Sequence, residues 1–251
     1  MSRSTGLGAL WHDKQMDDSK RTAQQYDAMA ADYAAQNAIS PYNAFYERPS
    51  TMALLGNVAG LRALEVGCGP GILTNWLVEQ GALVTAMDVS PAMLGLARQS
   101  VADRADLVLA DLAAPLPFET ASFDIVVASL VLHYVRDWTG ALRELRRVLG
   151  PRGAVVFSTH HPTMDWMLVT PEDYFAVKQV TDTWSIGGLG FEVTFWRRPL
   201  TAMCEAISDA GFVIERLVEP APSPEIAKRD ANAYEEIRTK PRFLFFRLRA
   251  S

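Results

Sequence analysis

Apolar positions are spaced in two different ways along this chain. Residues 21–37 (RTAQQYDAMAADYAAQN) are rich in alanine and hold no proline or glycine, and Tyr26, Met29 and Tyr33 share one helical face. This spacing predicts a helix broken at Pro41, followed by a second short helix from about Pro49 to Leu55. Residues 1–20 are polar and irregular and read as a flexible tail. From residue 62 short apolar runs alternate with amphipathic ones. Ala63–Val66 is a buried strand, and the turn Gly67-Cys68-Gly69-Pro70-Gly71 leads into the helix ILTNWLVEQ, which Gly81 stops. Ala82–Met87 is a second strand ending at Asp88. Ser90-Pro91 then opens a helix with a serine cap and a proline in its first turn. Leu107–Ala110 is a third strand ending at Asp111, and residues 123–129 (FDIVVAS) are a fourth. Trp138, Leu142, Leu145 and Leu149 line one face of a helix over 138–149, and Ala154–Ser158 is a fifth strand.

Past residue 160 the alternation stops. Runs at 177–184 and 191–196 flank Ile186-Gly187-Gly188-Leu189-Gly190, which predicts a β-hairpin with a glycine-rich turn. A helix over Leu200–Ala210 and strands at Phe212–Val218 and Phe243–Leu248 complete the chain. Strand–helix alternation predicts an α/β fold, a Rossmann-like parallel sheet covered by helices on both faces. Such sheets bind ligands beyond the carboxyl ends of their strands, where the strand order reverses.

Composition narrows the class. The 251 residues are 49% hydrophobic, which excludes general disorder and suffices for one full core. Lys and Arg number 24 against 29 Asp and Glu, a net charge of −5 that argues against nucleic acid as a partner. No apolar run reaches the ~18–20 residues of a membrane span. The first twenty residues lack the apolar stretch of a secretory signal. Cys68 and Cys204 form neither a metal-ligand spacing nor a disulfide framework, so a cytoplasmic location is expected.

The glycine turn lets backbone approach a ligand without a Cβ collision, although many nucleotide-binding folds share it. Asp88, 21 residues after Gly67, can accept hydrogen bonds from both hydroxyls of a ribose. Asp111 could accept from an adenine amino group. Aspartates after strands also cap turns, but three polar signals at three consecutive strand ends point to a nucleoside-bearing ligand.

With LEVGCGPG (64–71), AMDVSPAML (86–94), LADL (109–112), FDIVVASLVLHYV (123–135) and LRELRRVLGPRGAVVFS (142–158), the chain resembles the class I S-adenosylmethionine-dependent methyltransferases over roughly residues 60–160. It is most similar to their UbiE-like, type 11 small-molecule branch. The resemblance implies a seven-stranded, mostly parallel sheet whose last strand is antiparallel. It also implies a single domain over 21–251, with a helical cover at 21–58 and a hairpin lid inserted at 160–198. The implied cofactor is S-adenosyl-L-methionine, leaving as S-adenosyl-L-homocysteine. Glu65 and Gly67 would face its methionine part, with Gly69 allowing close approach. Asp88 would hold the ribose, Val89 and Met93 would pack on adenine, and Asp111 and Leu112 would sit at the adenine edge. Ser129 would lie near the transferred methyl group. Tyr26 and Tyr33 fall in the covering helix, with Tyr33 also a catalytic candidate; the helical pattern alone makes core residues of both. Arg48 is a carboxylate clamp by its fork, or a structural arginine.

Methyl transfer from a sulfonium is an in-line displacement, in which alignment can be worth up to ~7–11 kcal/mol. An acceptor that carries a proton also needs a general base. Histidine suits that role near neutral pH, and His133, His160 and His161 follow strand ends on the ligand side. His133 is one candidate, or else it pins its loop; of the adjacent pair, His160 is taken to face the site. Adjacent histidines point apart in extended chain, so His160, His161 and Asp165 are not expected to hold a metal. Ser129-Leu-Val-Leu132 lacks the Pro-Pro run usual in methyltransferases of nucleic-acid bases, which favours a small-molecule acceptor. A peptide or protein acceptor is an alternative, as is cofactor binding without catalysis. An NAD(P)-dependent oxidoreductase is another, but it would not explain Asp111-Leu112 or the terminal strand pair. Of 24 aromatic residues, seven (Trp166, Tyr174, Phe175, Trp184, Phe191, Phe195, Trp196) fall within 160–198. They suit either the lid's own core or a site for an apolar or aromatic acceptor.

Overall fold

The computed structural model describes residues 6–168 and 173–251, with side chains from residue 18 onward. The first helix, α1 (Gly6–Ile39), is 34 residues long and begins where the polar sequence predicted a tail. No proline interrupts residues 6–39, and tertiary contacts anchor the described part of the helix. Asp18 pairs with Arg21 and accepts from Gln179 Nε2 (3.1 Å) and Trp196 Nε1 (3.2 Å). A π-helical turn, Asn43–Glu47, then runs directly into α2 (Arg48–Leu55), with Pro49 in its first turn.

The alternating region folds as β1 (Arg62–Val66), α3 (Ile72–Glu79), β2 (Leu83–Asp88), α4 (Pro91–Val101), β3 (Asp106–Leu109), β4 (Phe123–Ser129), α5 (Trp138–Val148) and β5 (Leu149–His160). After it come α6 (Pro162–Leu168), the hairpin β6 (Lys178–Ile186) and β7 (Leu189–Arg197), α7 (Leu200–Asp209) and β8 (Phe212–Val218). The chain closes with α8 (Pro224–Arg229), α9 (Ala231–Thr239) and β9 (Phe243–Ala250). One seven-stranded sheet has the order β3-β2-β1-β4-β5-β9-β8, and β9 alone runs antiparallel to its neighbours. The order reverses between β1 and β4, where Val66 lies beside both Met87 and Ala128. A ligand crevice therefore opens above these strand ends.

The central strands are buried on both faces, as expected for apolar runs in a parallel sheet. On one face α5 sets Trp138 edge-on to Phe157, which stacks on Phe246 at 4.7 Å. On the other, Leu73 and Leu77 of α3 and Ala97 of α4 pack on Val84, Val127 and Val156. The hairpin stands apart as its own two-stranded sheet. Gly187 and Gly188 turn it with φ of 61° and 83°, the sign that a two-residue hairpin turn demands. Met29 of α1 packs on Ile186 and Val193 of the hairpin. Arg198, just beyond β7, is buried and donates to the Val135 carbonyl (2.7 Å) with its guanidinium over Trp138. These contacts tie the hairpin to the turn after β4.

Candidate functional site

The glycine turn is built by backbone. Gly67 and Cys68 N–H groups donate to the Met87 carbonyl (2.7 and 3.0 Å), which folds the turn over the end of β2. Gly67 has φ of 67°, and a Cβ there would lie 2.3 Å from Val131 Cγ2, so only glycine fits. Gly69 also has a positive φ (53°), but a Cβ on it would meet nothing within 4 Å. The space it faces is a cavity of about 100 Å³. Asp88 sits at its edge, 8% exposed, accepting from Gly69 N–H (2.8 Å) through Oδ2 and from Ser90 N–H (2.9 Å) through Oδ1. Each oxygen keeps a second lone pair for a ligand. Burial raises the Asp88 carboxyl, opposed by these N–H groups.

Tyr26, Tyr33, Gly67, Gly69, Asp88, Val89, Met93, Asp111, Leu112 and Ser129 all line this cavity. Asp111 Oδ1 also caps its own turn, accepting from Ala113 N–H (2.8 Å). Glu65 faces a smaller adjoining space, with Arg48, Gly67 and Gly69 around it. Arg48 is fixed there by donating to Asn37 Oδ1 (2.6 Å). Glu65 is fully buried, accepts from Thr74 Oγ1 (2.6 Å), and has its carboxyl pushed up to about 8, chiefly by burial. The unfolded chain ionises this group near pH 4.5, so between that pH and about 8 the native state binds a proton that the unfolded state has lost. Stability should therefore fall as pH rises through this window. Glu65→Gln should flatten the fall, read as melting temperature against pH.

Three residues given no role by the sequence motifs organise the site. Glu47, in the π-helical turn, accepts at Oε1 from Thr51 (2.7 Å), Ser129 (2.8 Å) and Ser158 (2.6 Å). It thereby fastens the end of the cover to the ends of β4 and β5. Asp27 of α1 accepts from Ser90 Oγ (2.5 Å) and Ala92 N–H (3.1 Å), joining α1 to the start of α4. Tyr134, in the turn after β4, shares a 2.7 Å hydrogen bond with Tyr26.

A second cavity of about 340 Å³ lies between α1, the hairpin and the end of β5. Tyr26, Tyr33, Leu130 and Tyr134 line both cavities and form the wall between them. Leu130 holds that wall with φ of 53°, unusual outside glycine, pinned by its N–H to Ser158 Oγ (2.9 Å). Burial raises the phenols of Tyr26, Tyr33 and Tyr134, so all three stay protonated near neutral pH. Tyr33 accordingly offers a hydroxyl rather than a phenolate, and its oxygen accepts from Asn37 Nδ2 (3.1 Å).

The histidines separate by surroundings. His133 and His160 line the second cavity, with their rings stacked at 3.9 Å. Burial drives His133 well below the usual imidazole range, so it is neutral. His161 turns away, its Nε2 2.8 Å from Glu219 and its Nδ1 accepting from Thr163 N–H (3.2 Å). Of the seven hairpin-region aromatics, Trp184 and Phe195 line the cavity. Phe191 packs with Met29, Trp196 bonds Asp18, Trp166 meets Tyr174 edge-on, and Phe175 is 74% exposed. The cavity's other rings, Tyr42 and Phe243 among them, come from outside the hairpin. Among the described residues no helix is long and apolar enough to cross a membrane.

Comparison with known proteins agrees with this geometry. Residues 64–157 match the methyltransferase domain family. The chain is 32% identical over 166 residues to the demethylmenaquinone methyltransferase of Lactococcus lactis, covering 63% of this chain and 66% of that one. It is 37% identical over 142 residues to the malonyl-[acyl-carrier protein] O-methyltransferase of Serratia marcescens, covering 55% and 49%. The chain thus spans about half to two thirds of the length of these curated relatives. The crystal structure of an S-adenosylmethionine-dependent methyltransferase from Mesorhizobium loti superposes with a TM-score of 0.65 at 28% identity, over 80% of this chain and 96% of that one. Glycine turn, acidic strand ends, sheet order and relatives agree: the chain belongs to the class I S-adenosylmethionine-dependent methyltransferases.

Proposed function

We propose that this protein transfers a methyl group from S-adenosylmethionine to a small apolar or aromatic acceptor held between α1 and the hairpin. The observation that carries this reading is the shared wall. A cavity lined by the family's cofactor residues meets an aromatic-lined cavity across Tyr26, Tyr33, Leu130 and Tyr134. Family membership replaces the oxidoreductase alternative.

The residues present fit the cofactor. Asp88 has lone pairs left for the ribose hydroxyls, Gly69 opens onto free space, and Arg48 stands beside the glycine turn for a carboxylate. When bound, the cofactor supplies an electrophilic methyl group on a good leaving group. The chain's task is alignment and the exclusion of water, with Tyr26 and Tyr134 held rigid by their mutual hydrogen bond. The hairpin acts as the lid over the acceptor, its Trp184 and Phe195 supplying apolar surface. His133 and His160 are the candidates for general base. A volume of about 340 Å³ suits a small molecule better than a folded protein. The two free cysteines, one of them buried, accord with a cytoplasmic setting.

The test is methyl-labelled S-adenosylmethionine incubated with the protein and a panel of small phenols, hydroxy compounds and amines. Label should appear on an aromatic or apolar acceptor, and Trp184→Ala should raise KM for it several-fold with less effect on kcat. Label transferred only to peptides, or to nothing, overturns this reading.

A further inference from the structure

We infer that His160, oriented by Asp165, is the general base of this site, and that the acceptor is one whose nucleophilic atom carries a proton. The inference rests on the methyl-transfer reading and chooses between the two histidines on atomic grounds. Both ring nitrogens of His133 are sealed from solvent and have no hydrogen-bond partner among the described residues. His133 meets the second cavity with carbon, so neither nitrogen can take a proton from a ligand there. His160 differs. Its Nδ1 is sealed and lies 3.2 Å from Asp165 Oδ1, while the side chain keeps 14% of its surface exposed. Nε2 is the nitrogen left to face the cavity.

Asp165, in the first turn of α6, has a 4% exposed side chain, and His160 is its partner. A buried carboxylate beside one ring nitrogen favours the tautomer with its proton on that side, which frees the other nitrogen's lone pair. The 3.2 Å approach is off the line of a good hydrogen bond, as is common in catalytic pairs before the ligand is bound. The imidazole is also clamped. His133 stacks on one side at 3.9 Å, Phe243 lies roughly parallel at 6.2 Å, and Phe195 meets its edge at 4.7 Å.

The step balances. The acceptor O–H or N–H bond breaks and its proton goes to His160 Nε2. The new bond from oxygen or nitrogen to methyl forms as the carbon–sulfur bond breaks, and that electron pair stays on sulfur as a neutral thioether. Asp165 takes no proton in this step; it lies against Nδ1, which makes it a positioning residue. An ionised carboxylate acceptor needs no base, so hydroxyls, phenols and amines are the acceptors that this arrangement fits.

The tautomer can be read without turnover. The full chain has four histidines, so nitrogen-15 imidazole spectra can be assigned with His→Gln variants. His160 should show the Nδ1–H tautomer, and Asp165→Ala should abolish that preference; Asp165→Asn, which keeps the side-chain volume, serves if the alanine variant does not fold. With an acceptor from the phenol panel, Asp165→Ala should lower kcat about 10- to 100-fold with KM little changed, and His160→Gln should lower it further. An Nε2–H tautomer in the wild type, or a tautomer unchanged in both Asp165 variants, overturns the pairing. A carboxylate turned over faster than every hydroxyl or amine overturns the acceptor class. Label that never leaves S-adenosylmethionine in the wild type overturns the methyl-transfer reading and the base role together.

Discussion

Asp88→Ala should weaken S-adenosylmethionine binding by about two orders of magnitude or more, measured by isothermal titration calorimetry. Hydrogen bonds to a charged group are worth about 1.5–3 kcal/mol each, and every 1.4 kcal/mol is tenfold in affinity. Two ribose hydroxyls lose their acceptor in this variant. The N–H groups of Gly69 and Ser90, which now donate to the two carboxylate oxygens, are orphaned as well, so the glycine turn loosens. Asp88→Asn keeps one acceptor oxygen and should lose less. If affinity is unchanged in the alanine variant, Asp88 does not hold the ribose.

The second large effect concerns stability. Glu47→Ala should destabilise the fold by about 3 kcal/mol, because three hydroxyls lose one acceptor and each unsatisfied buried group costs about 1–3 kcal/mol. Thr51 and Ser158 are wholly buried, so water cannot readily replace the carboxylate. For a chain of this length the melting temperature should drop by about 6–12 °C. Glu47→Gln retains an oxygen in the same place and should lose well under half of that. Equal losses in the two variants would show that charge, rather than hydrogen bonding, makes the junction.

Much of the fold could be read in the sequence, for a definite reason. Strands buried on both faces read as apolar runs, and the centres of β1, β4 and β5 (Ala63–Val66, Ile125–Ala128 and Ala154–Phe157) are such runs, with Glu65 the one charged residue among them. Asp88 and Asp111 stood out because each is the polar residue that ends such a run. Glu47 did not, since a charged residue in a helix ordinarily reads as solvated, and the π-helical turn moves it off the 3.6-residue register. Tyr134 lies in a three-residue 3₁₀ turn that carries no periodicity. Helices α6, α8 and α9, of seven, six and nine residues, are too short to show a repeat, although Ser223 and Asp230 cap the latter two. The helical start at Gly6 does not show in the sequence because Gly6 and Gly8, poor helix formers, open it and residues 12–20 carry no apolar stripe. The aromatic cluster was a real feature with two meanings. A count along the chain cannot separate Trp184 and Phe195, which face the cavity, from Trp196 and Phe191, which hold the hairpin to α1.

Helix α1 joins the start of α4, the hairpin and the lining of both cavities. Asp27 grips the start of α4, Gln25 pairs with Thr194 of the hairpin, and Gln36 bonds Ser185 and Gly187 at its tip. Tyr26 and Tyr33 of the same helix roof both cavities. If the two cavities hold cofactor and acceptor as proposed, both lie behind this one helix, and the two products would leave past the same element.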